Sequence, residues 1–200
     1  MKTIKYIILL LGLLLLSNSC REKTKKVANE IENATQIVKN AKNISEEASA
    51  IQKNIKDLRK KEYLTKEQWE SWLPEKLLNM PMTFSQINFM PGLGSCGASY
   101  NVGNKRIKVM IIDGAGEKGA GGVGPYRMSS KMEYDEEGGW GTTKTIEIDG
   151  HRAKLSSLKS GKYSISMFYN ERFAVDIETH ELEREALEQI VEELKLNKLL

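Results

Sequence analysis

The chain has 200 residues and a mass of 22.6 kDa, with 40% hydrophobic, 28% charged and 7% aromatic residues and a formal net charge of +3. That balance suits one packed domain with an appendage, and it excludes collagen-like and wholly disordered classes. Two cysteines exclude a disulfide scaffold, and two separated histidines argue against a His-rich metal site.

Lys2 and Lys5 precede an apolar run over residues 6–16, after which come Ser17, Asn18, Ser19 and Cys20. A charged start, a short apolar middle and small residues at the end predict a secretory signal peptide over residues 1–19. The run is too short to span a bilayer, which needs about twenty apolar residues for roughly 30 Å of hydrocarbon. The segment Leu16-Ser17-Asn18-Ser19-Cys20 resembles the lipobox of bacterial lipoproteins in a relaxed form, with Ser17 where Leu is usual and Leu16 one place earlier. The resemblance implies a diacylglycerol thioether on Cys20, removal of the preceding peptide and acylation, with palmitate for example, of the new amino terminus. It makes membrane lipid the first partner and the cell envelope the location. Arg21, rather than Asp, follows the cysteine; by the sorting rule of enteric lipoproteins this implies the outer membrane, facing the periplasm or the outside. Each buried methylene contributes about 0.8 kcal/mol, so two or three chains on one cysteine make attachment effectively permanent. Two rivals stay open: Ser17-x-Ser19 also fits ordinary small-x-small cleavage, and the segment could remain as an uncleaved anchor. With Cys20 acylated, Cys96 has no intramolecular partner, and a small buried hydrophobe in a strand is expected there.

Residues 21–62 contain neither proline nor glycine. Val27, Ile31, Ala34, Val38, Ala41, Ile44, Ala48, Ile51, Ile55 and Leu58 recur at steps of three and four, close to a heptad seam, with one stammer around Ala41. The spacing predicts a long N-terminal helix. It would be a coiled-coil-like tether that self-associates weakly through residues 27–58, or a single amphipathic helix that folds back on the domain. The alanines and neighbouring asparagines bury little area per turn. Residues 21–62 hold eleven basic and seven acidic side chains, whereas residues 63–200 hold seventeen and twenty. The basicity therefore sits on the tether, and an acidic domain without a basic stripe argues against nucleic-acid binding.

Residues 63–200 read as one α+β domain, an antiparallel β-meander packed on a C-terminal helix. Thr65-x-x-Gln68 is a capping-box pattern opening a helix that carries Trp69 and Trp72, either as core or as a partner-facing pair. Ile107, Val109 and Ile111 alternate with Lys108 and Met110; Tyr163, Ile165, Met167 and Tyr169 alternate with serines; Phe173, Val175 and Ile177 alternate with Ala174 and Asp176. Gly103-Asn104 and Asp149-Gly150 mark hairpin turns, and one covered face is expected. Residues 180–195 place Leu182, Ala186, Leu187, Ile190, Val191 and Leu194 on one stripe, with Thr179 as the expected N-cap.

The series W-x-x-W-L-P-x-x-L, a glycine-rich midsection and R-F-x-V before a last helix resembles an uncharacterised family of bacterial envelope proteins. The sheet-plus-helix arrangement is similar to the PsbP/Mog1-like class. Neither resemblance implies an activity.

Gly114-x-Gly116-x-x-Gly119 follows a strand and has the literal form of a dinucleotide fingerprint. Gly121, Gly122, Gly124 and Pro125 follow, so no helix is expected to open there and the nucleotide reading is set aside. The run is read as a surface loop, and Gly114, Gly116, Gly119, Gly121 and Gly122 are its candidate ligand residues should it act as a lid over a groove. The acidic residues 133–137 read as a solvated turn without calcium-loop spacing. No G-x-S-x-G elbow and no metal-spaced cysteine pair occurs, so no catalytic residue, metal or cofactor is assigned. The expected function is that of a membrane-anchored envelope lipoprotein acting as a binding or scaffolding module toward a protein partner yet to be identified. The alternatives are an envelope enzyme with its site under residues 114–124 and a small-ligand module using an uncovered sheet face.

Overall fold

The computed structural model describes residues 31–199. The chain forms two units, Met1–Lys42 and Asn43–Leu200. Signal segment, Cys20 and the first residues of the expected tether lie outside the described residues. In the first unit residues 31–42 are helical, and Ile31, Ile37 and Val38 are exposed.

The second unit begins at Asn43. Residues 43–46 are helical, a turn follows at Glu47, and helix α1 runs Ala48–Leu58. Its seam positions have found a sheet. Leu58 is buried in a small cluster with Ile112, Ala120, Val123, Phe168 and Ala174, and Ile55 packs against that cluster. Ile55 and Leu58, the last two positions of the predicted seam, are therefore packed inside this unit. Burying a leucine on a preformed apolar sheet stabilises by about 1.5–3 kcal/mol.

Helix α2 (Lys66–Trp72) has the capping box read from the sequence: Gln68 N–H donates to Thr65 Oγ1 at 3.3 Å and Thr65 N–H to Gln68 Oε1 at 2.8 Å. Trp69 is fully buried, edge-on to Phe173 with ring centroids 6.4 Å apart, so the tryptophan pair is anchored in core.

Strands β1 (Lys76–Leu77), β2 (Met80–Ile87), β3 (Ser95–Val102), β4 (Lys105–Asp113), β5 (Asp135–Gly138), β6 (Gly141–Ile148), β7 (His151–Leu158), β8 (Lys162–Tyr169) and β9 (Phe173–His180) form one antiparallel sheet in the order β1-β2-β3-β4-β9-β8-β7-β6-β5. Two runs of hairpins thus meet at the β4–β9 pair. The expected turns are present: Val102 pairs with Lys105 and Ile148 with His151, and Asp149 and Gly150 both have positive φ. The acidic residues 135–137, expected as a turn, instead form the edge strand β5, where Asp135 faces Lys144 across the ladder.

The alternation assigns one sheet face to Ile107, Val109, Ile111, Ile165, Met167, Phe173, Val175 and Ile177. Helix α5 (Ala186–Leu194) covers it with Leu187, Ile190, Val191 and Leu194, joined by Trp69 from α2. The helix expected over 180–195 starts later. Thr179 is not its N-cap: it is fully buried inside β9, because the ladder pairs β9 with β4 and β8 as far as His180.

The second face departs from the single-covered-face expectation. Helices α3 (Gly116–Gly122) and α4 (Gly124–Ser129) follow β4 and, with α1, roof one part of it. The glycine-rich run is therefore helical rather than a loop.

Candidate functional site

The part of the second face that the helices leave uncovered is the candidate site. Register places Ser164, Glu178, Lys108, Ser99 and Phe84 in one row across β8, β9, β4, β3 and β2. The next row holds Ser166, Asp176, Met110, Gly97 and Gln86. These rows, with Phe89 from the β2–β3 connection, line a groove of about 520 Å³. Gly97 leaves the floor bare under Phe89, since a Cβ there would touch the ring edge at 3.5 Å. Phe84, 56% exposed, stands on the rim beyond a bulge in β2 between Met82 and Phe84.

The floor is polar and ordered. Tyr126 Oη donates to Asp176 Oδ2, and Ser166 Oγ donates to Asp176 Oδ1, so both carboxylate oxygens are engaged. Burial raises the Tyr126 phenol well above its usual range, and the adjoining Asp176 adds to that. The phenol is thus a fixed donor at neutral pH. Lys108 Nζ lies 3.9 Å from Glu178 Oε1, both half-exposed; such a pair contributes little to stability and is easily exchanged for a ligand. Aromatic walls, free hydroxyls at Ser99 and Ser164 and a loosely held ion pair equip the groove to hold an amphipathic small molecule. Its volume lies in the usual range for such sites, about 300–1,000 Å³.

The glycines named from the sequence lie elsewhere and do another job. A Cβ on Gly114 would stand 2.5 Å from Arg172 O and 2.9 Å from Val123, and one on Gly119 would stand 2.7 Å from Asp113 O. These two let α3 pack on the end of β4. Gly116 has φ +81°, a Cβ on Gly121 would meet nothing within 4 Å, and one on Gly122 would touch Leu93 at 3.5 Å. The space under α3, where an enzyme site would need a polar cavity, holds Leu58, Ile112, Ala120, Val123, Phe168 and Ala174.

Cys96 is buried in β3 as a free thiol, and burial pushes its pKa up to about 12, so it stays protonated and unreactive at neutral pH. His151 stacks on Tyr169 with ring centroids 4.2 Å apart, and His180 ends β9. Among the described residues no group of three or more His, Cys, Asp or Glu side chains is arranged to hold a metal ion, and no helix is long and apolar enough to cross a membrane.

Sequence reasoning saw Lys108, Asp176 and the serines only as the polar half of each strand. It missed Phe84 and Phe89, because a bulged strand with few β-branched residues gives no clean alternation over residues 80–87. No family model matches the chain, and no significant similarity connects it to a curated protein or a solved structure.

Proposed function

We propose that the protein is a lipid-anchored envelope protein whose α+β domain is a binding module, and that the open part of the second sheet face takes its ligand. One observation carries the binding half of this reading: a groove of about 520 Å³ in which exposed Phe84 and half-buried Phe89 stand over a floor of hydroxyls and charged groups. The ligand is a small molecule with an apolar face for the two rings and donors or acceptors for Ser99, Ser164 and the Lys108–Glu178 pair. The anchoring half rests on the charged start, short apolar run and Cys20 of the first twenty residues. The same proposal keeps weak self-association through residues 27–58, supported by the exposure of Ile31, Ile37 and Val38.

The groove is tested with 1-anilinonaphthalene-8-sulfonate, whose fluorescence rises on entering an apolar site. Saturable enhancement is expected for the wild-type chain. Phe84→Ser, a change at an exposed position, is expected to weaken it about tenfold, corresponding to loss of part of one aromatic contact. An unchanged titration curve rejects the groove as the binding surface.

The anchor is tested separately by metabolic labelling with palmitate. Cys20→Ala is expected to lose the label and to move from the membrane to the soluble fraction. A mutant that still sediments with membranes rejects attachment through that sulfur.

A further inference from the structure

A second concavity, about 390 Å³, lies between α1, α4 and strands β7 and β8, and its chemistry differs from that of the groove. At its wall is Arg127, only 3% exposed. The guanidinium donates from Nε to Asn54 Oδ1 at 2.7 Å and from Nη2 to Ala120 O at 3.1 Å, and it lies 5.2 Å from the centre of the Phe168 ring. All three partners are neutral. Among the described residues no carboxylate stands within ion-pairing distance of it. Burial lowers the pKa of Arg127, while Glu171, on the same wall, opposes that shift from farther away.

A buried cation without a counter-charge is costly unless something neutralises it. Two further cations line the same space. Lys131 is paired with Glu47, and Arg152 donates to Glu133 Oε2 at 2.8 Å and to Met132 O at 3.1 Å. Both pairs reach toward solvent and are screened there. Three cations and one carboxylate, Glu171, line the cavity; with Glu47 and Glu133 counted the cluster is neutral, and Arg127 alone among the three cations has no directly paired carboxylate. A phosphomonoester dianion bound there takes the place of the two exposed carboxylate partners, and its oxygens suit guanidinium donors with their fixed fork geometry. The volume exceeds that of the bare ion, and His151 and Asn170 supply polar groups for a small organic substituent.

We propose that this cavity binds a phosphomonoester, with Arg127 as the buried donor and Lys131 and Arg152 as its flanking cations. The shared chemistry has two sources, a soluble phosphomonoester and a lipid headgroup of the phosphatidic acid type.

The test titrates the full chain, purified in detergent, with inorganic phosphate, glycerol 3-phosphate and dihexanoyl phosphatidic acid by calorimetry at matched ionic strength. Saturable one-site binding is expected. Glycerol 3-phosphate binding as tightly as the lipid identifies a soluble source; a lipid at least about tenfold tighter identifies the headgroup. Lys131→Ala is expected to weaken binding about tenfold, and Arg127→Gln to weaken it further. Phe84→Ser is expected to leave it unchanged, which separates this site from the groove. Absence of saturation with all three probes at millimolar concentration overturns the proposal, as does wild-type affinity in Lys131→Ala and Arg127→Gln. If circular dichroism shows Arg127→Gln unfolded, the affinity of Lys131→Ala decides.

Discussion

Arg172→Ala is expected to destabilise the second unit by about 3–5 kcal/mol, the usual consequence of removing one partner from a buried ion pair. Asp113, at the end of β4, is fully buried. Arg172 holds it in a two-pronged contact, Nε to Oδ1 and Nη2 to Oδ2, both 2.7 Å. The remaining carboxylate capacity is filled by Leu64 N–H at 2.9 Å and Ala115 N–H at 3.0 Å, while Arg172 Nη2 also reaches Glu62 O at 3.1 Å. One ion pair thus fastens the chain before α2, the start of α3 and the β8–β9 turn to the same strand end. Truncating Arg172 leaves a carboxylate in the interior with two amide donors and no counter-charge. In thermal unfolding the midpoint should fall by roughly 10 °C. A fall of only a degree or two would mean that Asp113 is solvated in the variant and that the clamp is ornamental. Arg172→Lys is expected to recover only part of the loss, because an ammonium cannot supply both prongs.

The second large effect separates two readings of the glycine run. Ala is a better helix former than Gly by about 1 kcal/mol. On propensity alone, Gly119→Ala and Gly121→Ala in α3 should both stabilise. Packing splits them. A Cβ on Gly121 meets nothing within 4 Å, whereas one on Gly119 lands 2.7 Å from Asp113 O and 2.8 Å from the Gly114 carbonyl carbon. Those neighbours are backbone and cannot rotate aside, so α3 must lift from β4. Gly121→Ala is expected to raise stability by about 0.5–1 kcal/mol and Gly119→Ala to lower it by about 2 kcal/mol, measured by urea denaturation. If both substitutions stabilise, the close approach of α3 to β4 is not what these glycines serve. A ligand-cradling loop would instead show changes in binding with little change in stability.

The outcome for this run shows how far local rules reach. Six glycines and a proline within residues 114–125 argue against a helix by propensity, yet α3 and α4 form there. Two short helices cost little to order once Ala120 and Val123 can be buried on Ile112 and Ala174, and Pro125 sits in the first turn of α4, where its missing N–H is not needed. Leu58 and Ile55 tell the same story from the other side. Their heptad spacing records an amphipathic helix faithfully, but spacing says nothing about whether the apolar stripe meets a second helix or the back of a sheet.

What the sequence determined by itself is whatever is set by neighbours a few residues apart. The alternating strands from 105 to 177, the Asp149-Gly150 turn, the reciprocal cap of Thr65 and Gln68 and the apolar stripe of α5 all rest on periods of two or about four and on single-residue φ preferences. Tertiary structure alone decided that β9 lies between β4 and β8, that Thr179 belongs to a strand, that the second face is half roofed, and that Arg127 and Asp113 end up inside. Those outcomes depend on pairings across fifty or more residues, as in Asp113 with Arg172, where the energy comes from burial and desolvation that no local window contains.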